Sequence, residues 1–183
     1  MSRAASMLAR DLLSLVVVVA AAAGLLRALD VLPQSLGEPA GGRAFVQVAD
    51  VERRLGERLA RPAYFPQTLQ WPPSRIRVAA GRPALVVLGF TAAGGGPERL
   101  VLGQSVGGVA PVPARLWPGG VVLESGEADL GGIAARVERI LGEEGRVWHE
   151  VRWEHWGRLL QLRSAGTREE LLALARSMRR EGP

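Results

Sequence analysis

The sequence predicts a membrane-anchored α+β protein: a single N-terminal transmembrane helix, then an antiparallel β-sheet of about six strands covered by a C-terminal helix. Three observations predict it. The apolar run Leu12 to Leu32 (LLSLVVVVAAAAGLLRALDVL) is long enough to cross a bilayer, whose hydrocarbon core takes roughly 20 residues of helix. Short apolar runs bounded by Gly and Pro then recur from Arg75 to Arg163, several with two-residue alternation. Finally, Thr167 and Glu170 have capping-box spacing and open a segment whose Leu171, Leu174, Ala175 and Met178 share one helical stripe.

The N-terminal run carries no charge from Leu12 to Leu26. Arg27 and Asp30 follow in its last turns, where an arginine stem can lie along apolar surface with its head among the lipid headgroups. Arg3 and Arg10 precede the run against Asp11, and a basic flank tends to stay cytoplasmic. The expected layout is a cytoplasmic tail over 1–11, a span over 12–32, a linker over 33–42 and an extracytoplasmic domain over 43–183. A cleaved signal peptide is the alternative, with Ala21 to Ala23 as small residues for processing, but the run continues past them through Leu25, Leu26, Leu29, Val31 and Leu32. Both alternatives export the same domain. Ala20 to Gly24 is also a small-residue patch, which makes Ala20 and Gly24 candidates for contact with another membrane helix; a generic alanine-rich span is the equal alternative.

The linker, PQSLGEPAGG, is rich in Pro and Gly. Asp50 can cap a helix running to about Leu59, with Val51, Leu55 and Leu59 on one face, and Arg61-Pro62 ends it. Pro62 to Pro73 (PAYFPQTLQWPP) holds four prolines among Tyr64, Phe65, Leu69 and Trp71, so it should be an extended, packed entry into the sheet. Arg75 to Ala80 and Ala84 to Phe90 (ALVVLGF) are strands, the second a fully buried one. Thr91 to Pro97 is a hairpin connection and Glu98 to Ser105 the returning strand.

Gly107 to Gly120, with Pro111, Pro113 and Pro118 around Trp117, is a long irregular loop of the kind that is either functional or mobile. Val121 to Glu124 can form a short strand, and Gly132 to Leu141, though imperfectly alternating, follows Gly-Gly in a strand-rich context and is assigned to β. Arg146 to Trp156 (RVWHEVRWEHW) puts Val147, His149, Val151, Trp153 and His155 on one face and Trp148, Glu150, Arg152, Glu154 and Trp156 on the other. Gly157 then allows a tight turn into Arg158 to Arg163.

Composition excludes several chemistries. With no cysteine, there can be no disulfide, thiolate metal site, lipidated cysteine or CxxCH haem attachment. All 23 basic residues are Arg, which fits high-GC coding, and the formal net charge is +5. Charges are interspersed, as in ERRLGERLAR, which describes a solvated surface and not a nucleic-acid track. His149 and His155, the two histidines, lie six residues apart on one strand, roughly 20 Å, too far to share a metal. Glu143-Glu144 and Glu169-Glu170 sit at a turn and a helix start, where solvation and the helix dipole explain them. Ser164 lacks the G-x-S-x-G elbow, and the glycine runs match no phosphate-binding pattern. No catalytic, cofactor-binding or metal residue is therefore expected, and no small-molecule substrate is evident. Tryptophan is enriched at interface hot spots, so Trp71, Trp117, Trp148 and Trp156 are the interface candidates, while Trp153 is expected in the core.

Pro62, Tyr64, Pro66 and Trp71, then Trp153, then Leu162, Ser164, Thr167, Glu169, Glu170, Leu171, Ala175 and Ser177 form a pattern over about Arg61 to Met178. This pattern resembles a bacterial extracytoplasmic domain of unknown function found behind a membrane helix in anti-sigma-factor-like proteins, itself distantly similar to lipoprotein-carrier half-barrels. The resemblance implies a ligand-sensing or lipophile-carrying module, and it brings no catalytic residue. An anti-sigma factor needs a cytoplasmic domain to hold its sigma factor, whereas only about ten residues precede this span, so the chain departs from the signalling members. The expected function is that of a non-catalytic accessory subunit in a bacterial inner membrane, with its periplasmic domain packed on the subunits of a larger membrane complex. A photosynthetic or respiratory electron-transfer complex is the expected kind, and no nucleic acid is expected as partner.

Overall fold

The computed structural model describes residues 42–180. The expected span over Leu12 to Leu32, with Ala20 and Gly24, lies outside the described residues. Among those described, no helix is long and apolar enough to cross a membrane. They are mostly β, with an eight-stranded antiparallel sheet where about six strands are expected. In chain order the elements are β1 (Arg43–Phe45), α1 (Val48–Leu55), β2 (Ala60–Pro62), β3 (Arg75–Ala79), β4 (Ala84–Ala92), β5 (Gly95–Val106), β6 (Val121–Asp129), β7 (Ala134–Leu141), β8 (Val147–His155), β9 (Arg158–Ser164), α2 (Arg168–Arg176) and β10 (Met178–Arg180).

The sheet order β1-β3-β4-β5-β9-β8-β7-β6 is two meanders joined edge to edge, with β5 paired to β9 at the seam. The second meander begins at the far edge, so the chain leaving β5 must cross three strands to reach it. That crossing is residues 107–120, which explains the length of the loop.

Alternation divides the sheet into two faces. Ile76, Val78, Val86, Leu88, Phe90, Leu100, Leu102, Leu160, Leu162, Val151 and Trp153 share one face by register and are buried in one cluster. Trp153 is therefore core, as its place in the alternation requires. Helix α2 covers this face over β8 and β9, and the Thr167–Glu170 capping box forms as its spacing predicts. The small sheet of β2 and β10 adds cover, tied down by Gln104, whose side-chain amide bonds both the N–H (2.9 Å) and the carbonyl (3.2 Å) of Ala60. The opposite face is covered at its centre by the crossing loop, with Val112, Leu116 and Trp117 packed against Val87 and Val101. Gly103 is what lets the loop approach, since a Cβ there would lie 2.8 Å from Trp117 and 2.9 Å from Val112.

The first helix corrects an expectation. It runs Val48–Leu55, preceded by Gln47 with no side-chain cap, and Asp50 sits inside its first turn, paired to Arg53 at 2.7 Å. Gly56 in the left-handed region (φ 69°) ends it, so Leu59 is not helical. Glu52 instead turns inward and takes the Leu59 N–H at 2.9 Å, while Arg61 of β2 approaches it at 2.7 Å. Met178, expected on the stripe of the C-terminal helix, lies instead in β10, since α2 ends at Arg176 and the chain goes on to pair with β2, a small sheet that local pattern does not signal. Other differences are extensions. The strand expected over Val121 to Glu124 runs on to Asp129, and Arg43–Phe45 adds an edge strand that its three residues were too few to signal. The hairpin at Gly157 forms as expected, with Trp156 (φ 52°) and Gly157 (φ 67°) both left-handed, the pair that a two-residue turn of matching twist needs.

Candidate functional site

Each of the six interior strands of the large sheet buries residues on at least one face, but β6, at the edge, is open on both, with only Ala128 half-buried. Its position at the sheet edge leaves one row of backbone N–H and C=O groups without a strand partner. Glycines set its ends. Gly120 (φ 154°) enters against β7, where a Cβ would meet Ile140 at 2.5 Å and the Leu141 carbonyl at 2.8 Å. At the exit, the Asp129 carboxylate takes the Gly132 N–H at 2.7 Å and turns the chain into β7.

The register makes one end of this region apolar on both faces. Val121, Leu141 and Val147 are successive cross-strand partners on the helix-bearing face, and all are exposed, at 66%, 37% and 41%. Helix α2 packs on β8 and β9 and leaves this row open. On the other face, Val122, Ile140 and Trp148 are successive partners, with Val122 50% exposed and Trp148 half-buried under the Arg146 guanidinium, 5.7 Å from its ring. Between these rows a bulge at Leu123 adds an unpaired apolar residue. Soluble surfaces rarely collect this much contiguous apolar side chain without using it.

The rest of β6 is acidic. Glu124, Glu127 and Asp129 fall within nine residues that hold no base, in a chain of net charge +5. Arg139 reaches Glu124 at 3.1 Å, but both are well exposed and such pairs are weak.

Elsewhere most buried polar groups are internally satisfied, the Nε atoms of Arg61 and Arg152 excepted. Glu150 is buried, and its two oxygens receive Gln161 (2.6 Å), Arg152 (3.0 Å), the Trp117 indole N–H (2.9 Å) and Arg163 (2.7 Å). With both oxygens so engaged and no route to solvent, this carboxylate cannot serve a substrate; it fastens the crossing loop to the sheet. Burial by itself would push the Glu52 carboxyl up, but the Leu59 N–H and the Arg61 and Arg58 guanidiniums outweigh it and hold the group below the ordinary carboxylate range. Arg158, buried, bridges the Arg58 carbonyl (2.9 Å) and Glu57.

The nearest approach to a nucleophile and base is Ser164 opposite His149 across β9 and β8. The His149 ring engages the Gly166 carbonyl at 3.0 Å, while the Ser164 hydroxyl accepts the Gly166 N–H at 3.0 Å. Each therefore bonds the same peptide turn instead of the other. Among the described residues, no three His, Asp or Glu side chains gather to hold a metal. A groove of about 380 Å³ lies between residues 64–69 and α2, lined by Tyr64, Leu69, Arg99, Ser164 and Leu174 among others.

The tryptophans expected at an interface separate. Trp148 joins the apolar end of β6–β8. Trp71 is 47% exposed and belongs to an aromatic group with Phe65 (5.6 Å) and Phe90 (6.0 Å). Trp156 stands at the β8–β9 turn with His155 4.0 Å away. Trp117 is a correction: it is buried, because the loop carrying it must cross the sheet and its indole N–H finds Glu150 there. Val121, Val122, Leu123, Leu141 and Val147 were missed, since a run such as Val-Val-Leu reads as core unless the packing on it is known. No family model, curated protein or solved structure matches the chain.

Proposed function

We propose that this protein is a non-catalytic accessory subunit, anchored by the N-terminal span, whose sheet domain packs on a larger membrane protein assembly outside the cytoplasm. The observation that carries this is the apolar end of β6, β7 and β8, where Val121, Leu141 and Val147 stand exposed in one cross-strand row beside exposed Val122 and Leu123. A partner burying that row would gain roughly 25 cal/mol for each Å² of apolar surface removed from water, less the cost of association. The four groups that occupy both oxygens of Glu150, and the Gly166 peptide that engages both His149 and Ser164, give these side chains structural partners, which supports the reading. The test is extraction of the intact protein from its native membranes in mild detergent. Co-migration with a larger complex, lost in a Val121→Asp, Val147→Asp double variant that still folds, is the expected result. Migration of the unaltered protein as a lone monomer would remove the proposal.

A second reading, a carrier or sensor of apolar ligands, is favoured by the groove beside Tyr64, Leu69 and Leu174. Displacement of a fluorescent fatty acid from the full-length protein, weakened by Leu69→Asp, would support it; no saturable uptake would dispose of it.

A further inference from the structure

We infer that β6 is an acceptor edge: it takes an extended segment of the partner polypeptide as a ninth strand, and that segment is apolar where it meets Val121–Leu123 and basic where it meets Glu124–Asp129. This rests on the accessory-subunit reading and names the chemistry of its contact.

The two edges of the sheet differ in how they are finished. At β1 the edge is three residues long, and Phe45 lies between the guanidiniums of Arg43 and Arg54, at 5.8 and 5.9 Å. Short, cation-flanked edges resist further pairing. At β6 the edge is nine residues long, has no proline and no base, and is exposed on both faces. Its one irregularity is the bulge at Leu123, and the Arg176 guanidinium reaches the Asp129 carbonyl at 3.1 Å at the far end. Between these points the strand offers its backbone for pairing.

Charge selects the occupant. A second copy pairing through the same edge would bring six carboxylates into one ladder, and like charges close across strands are destabilising. A strand carrying Arg or Lys opposite Glu124 and Glu127 would instead be drawn in and held in register. The apolar rows specify the other end. The position beyond Val121, in the sequence Val147, Leu141, Val121, would be filled by the added strand, so an apolar residue there extends a row that exists already. An antiparallel addition, the commoner kind, makes the incoming segment basic toward its N-terminus and apolar toward its C-terminus.

The probe is a fluorescent nine-residue peptide with arginines at its first, third and sixth positions, to stand opposite Asp129, Glu127 and Glu124, threonines between them, and three valines at its C-terminus. It is titrated by anisotropy against the full-length protein in mild detergent. Saturable binding is expected. It should weaken at least about tenfold when the arginines become glutamates, when alternate peptide amides are N-methylated, and in the Glu124→Arg, Glu127→Arg double variant. Backbone pairing is read with Ser125→Pro and Gly126→Pro. Adjacent residues aim their N–H groups to opposite sides of a strand, so one of these prolines removes a bond to β7 and the other removes only an outward donor. The variant that keeps the parent thermal transition must lose the peptide.

Binding that survives N-methylation and that proline, equal binding of the acidic peptide, or no saturable binding would overturn the inference. So would a concentration-dependent dimer of the protein alone that the same proline abolishes. If the protein leaves its membrane in a larger complex that the β6 variants do not disturb, the acceptor edge fails while the accessory role stands. A lone monomer from native membranes fails the accessory role itself.

Discussion

The centre of the sheet and its β6 edge are built on opposite terms. In β4, β9 and the stretch of β5 from Leu100 to Val106 most residues are buried, because the helices and the β2–β10 pair lie on one face and the crossing loop on the other. In β6 nearly every residue is exposed, though it is hydrogen-bonded along almost its full length to β7. The covered half is held by packing, and the open half by a ladder and cross-strand pairs. Backbone pairing alone contributes little net stability in water, since water competes for the same groups. The open half thus marks where the molecule has left apolar side chains for something else to cover.

The contrast can be broken most severely at Glu150. Glu150→Ala leaves Arg163 buried without its carboxylate, and a loss of roughly 3–5 kcal/mol is expected by urea unfolding. The same change at exposed Glu127 should cost no more than about 0.5 kcal/mol. Comparable losses at the two sites would erase the distinction between the halves.

Gly103→Val comes next. It drives a side chain into Trp117 and Val112, lifting the crossing loop, at a cost of roughly 1–3 kcal/mol. Increased quenching of tryptophan emission by acrylamide would register the loss of cover, whereas an unchanged accessibility would show that the loop is not the lid over that face.

Glu52 sharpens the comparison by pH. Its folded pKa lies below the ordinary glutamate value of about 4.3, so the carboxylate contributes stability above that pH and loses it as pH falls through the folded pKa. Glu52→Gln should therefore cost about 1 kcal/mol near neutrality, with the gap to the parent closing in acid. A gap constant across that range would mean the charge is not what matters.

The smallest effect is expected in the open half. Val121→Asp should change the thermal midpoint little, within about 0.5 kcal/mol of stability, while β6 amides exchange with solvent faster than those of β5 and β9. Protection of β6 in the isolated protein equal to that of β5 would mean the edge is covered already.

Legibility in the sequence followed the range of the forces involved. The capping box at Thr167, the Gly157 turn and the strand alternation from Val147 to His155 were readable because each depends on neighbours within a few residues. Helix α1 differs at both ends from the helix its local pattern predicts. Gly56 offered a local stop signal, yet the inward turn of Glu52 depends on Arg61, nine residues away. Of the interface candidates, Trp148 is on the exposed end and Trp117 is not, though both are tryptophans beside glycine-rich turns. What separates them is which strand crosses beneath.

From its sequence alone, the chain determined most strands of the large sheet and the capped start of α2, which residues of each of those strands share a face, and that no cysteine chemistry is open to it. Only the tertiary structure decided which faces are covered, because cover comes from segments far away in the chain: 107–120 laid across the centre of the sheet, and α2 set on β8 and β9 but not on β6. An apolar strand residue reads the same whether buried or bare, and the difference between core and docking surface is made by what lies on top of it.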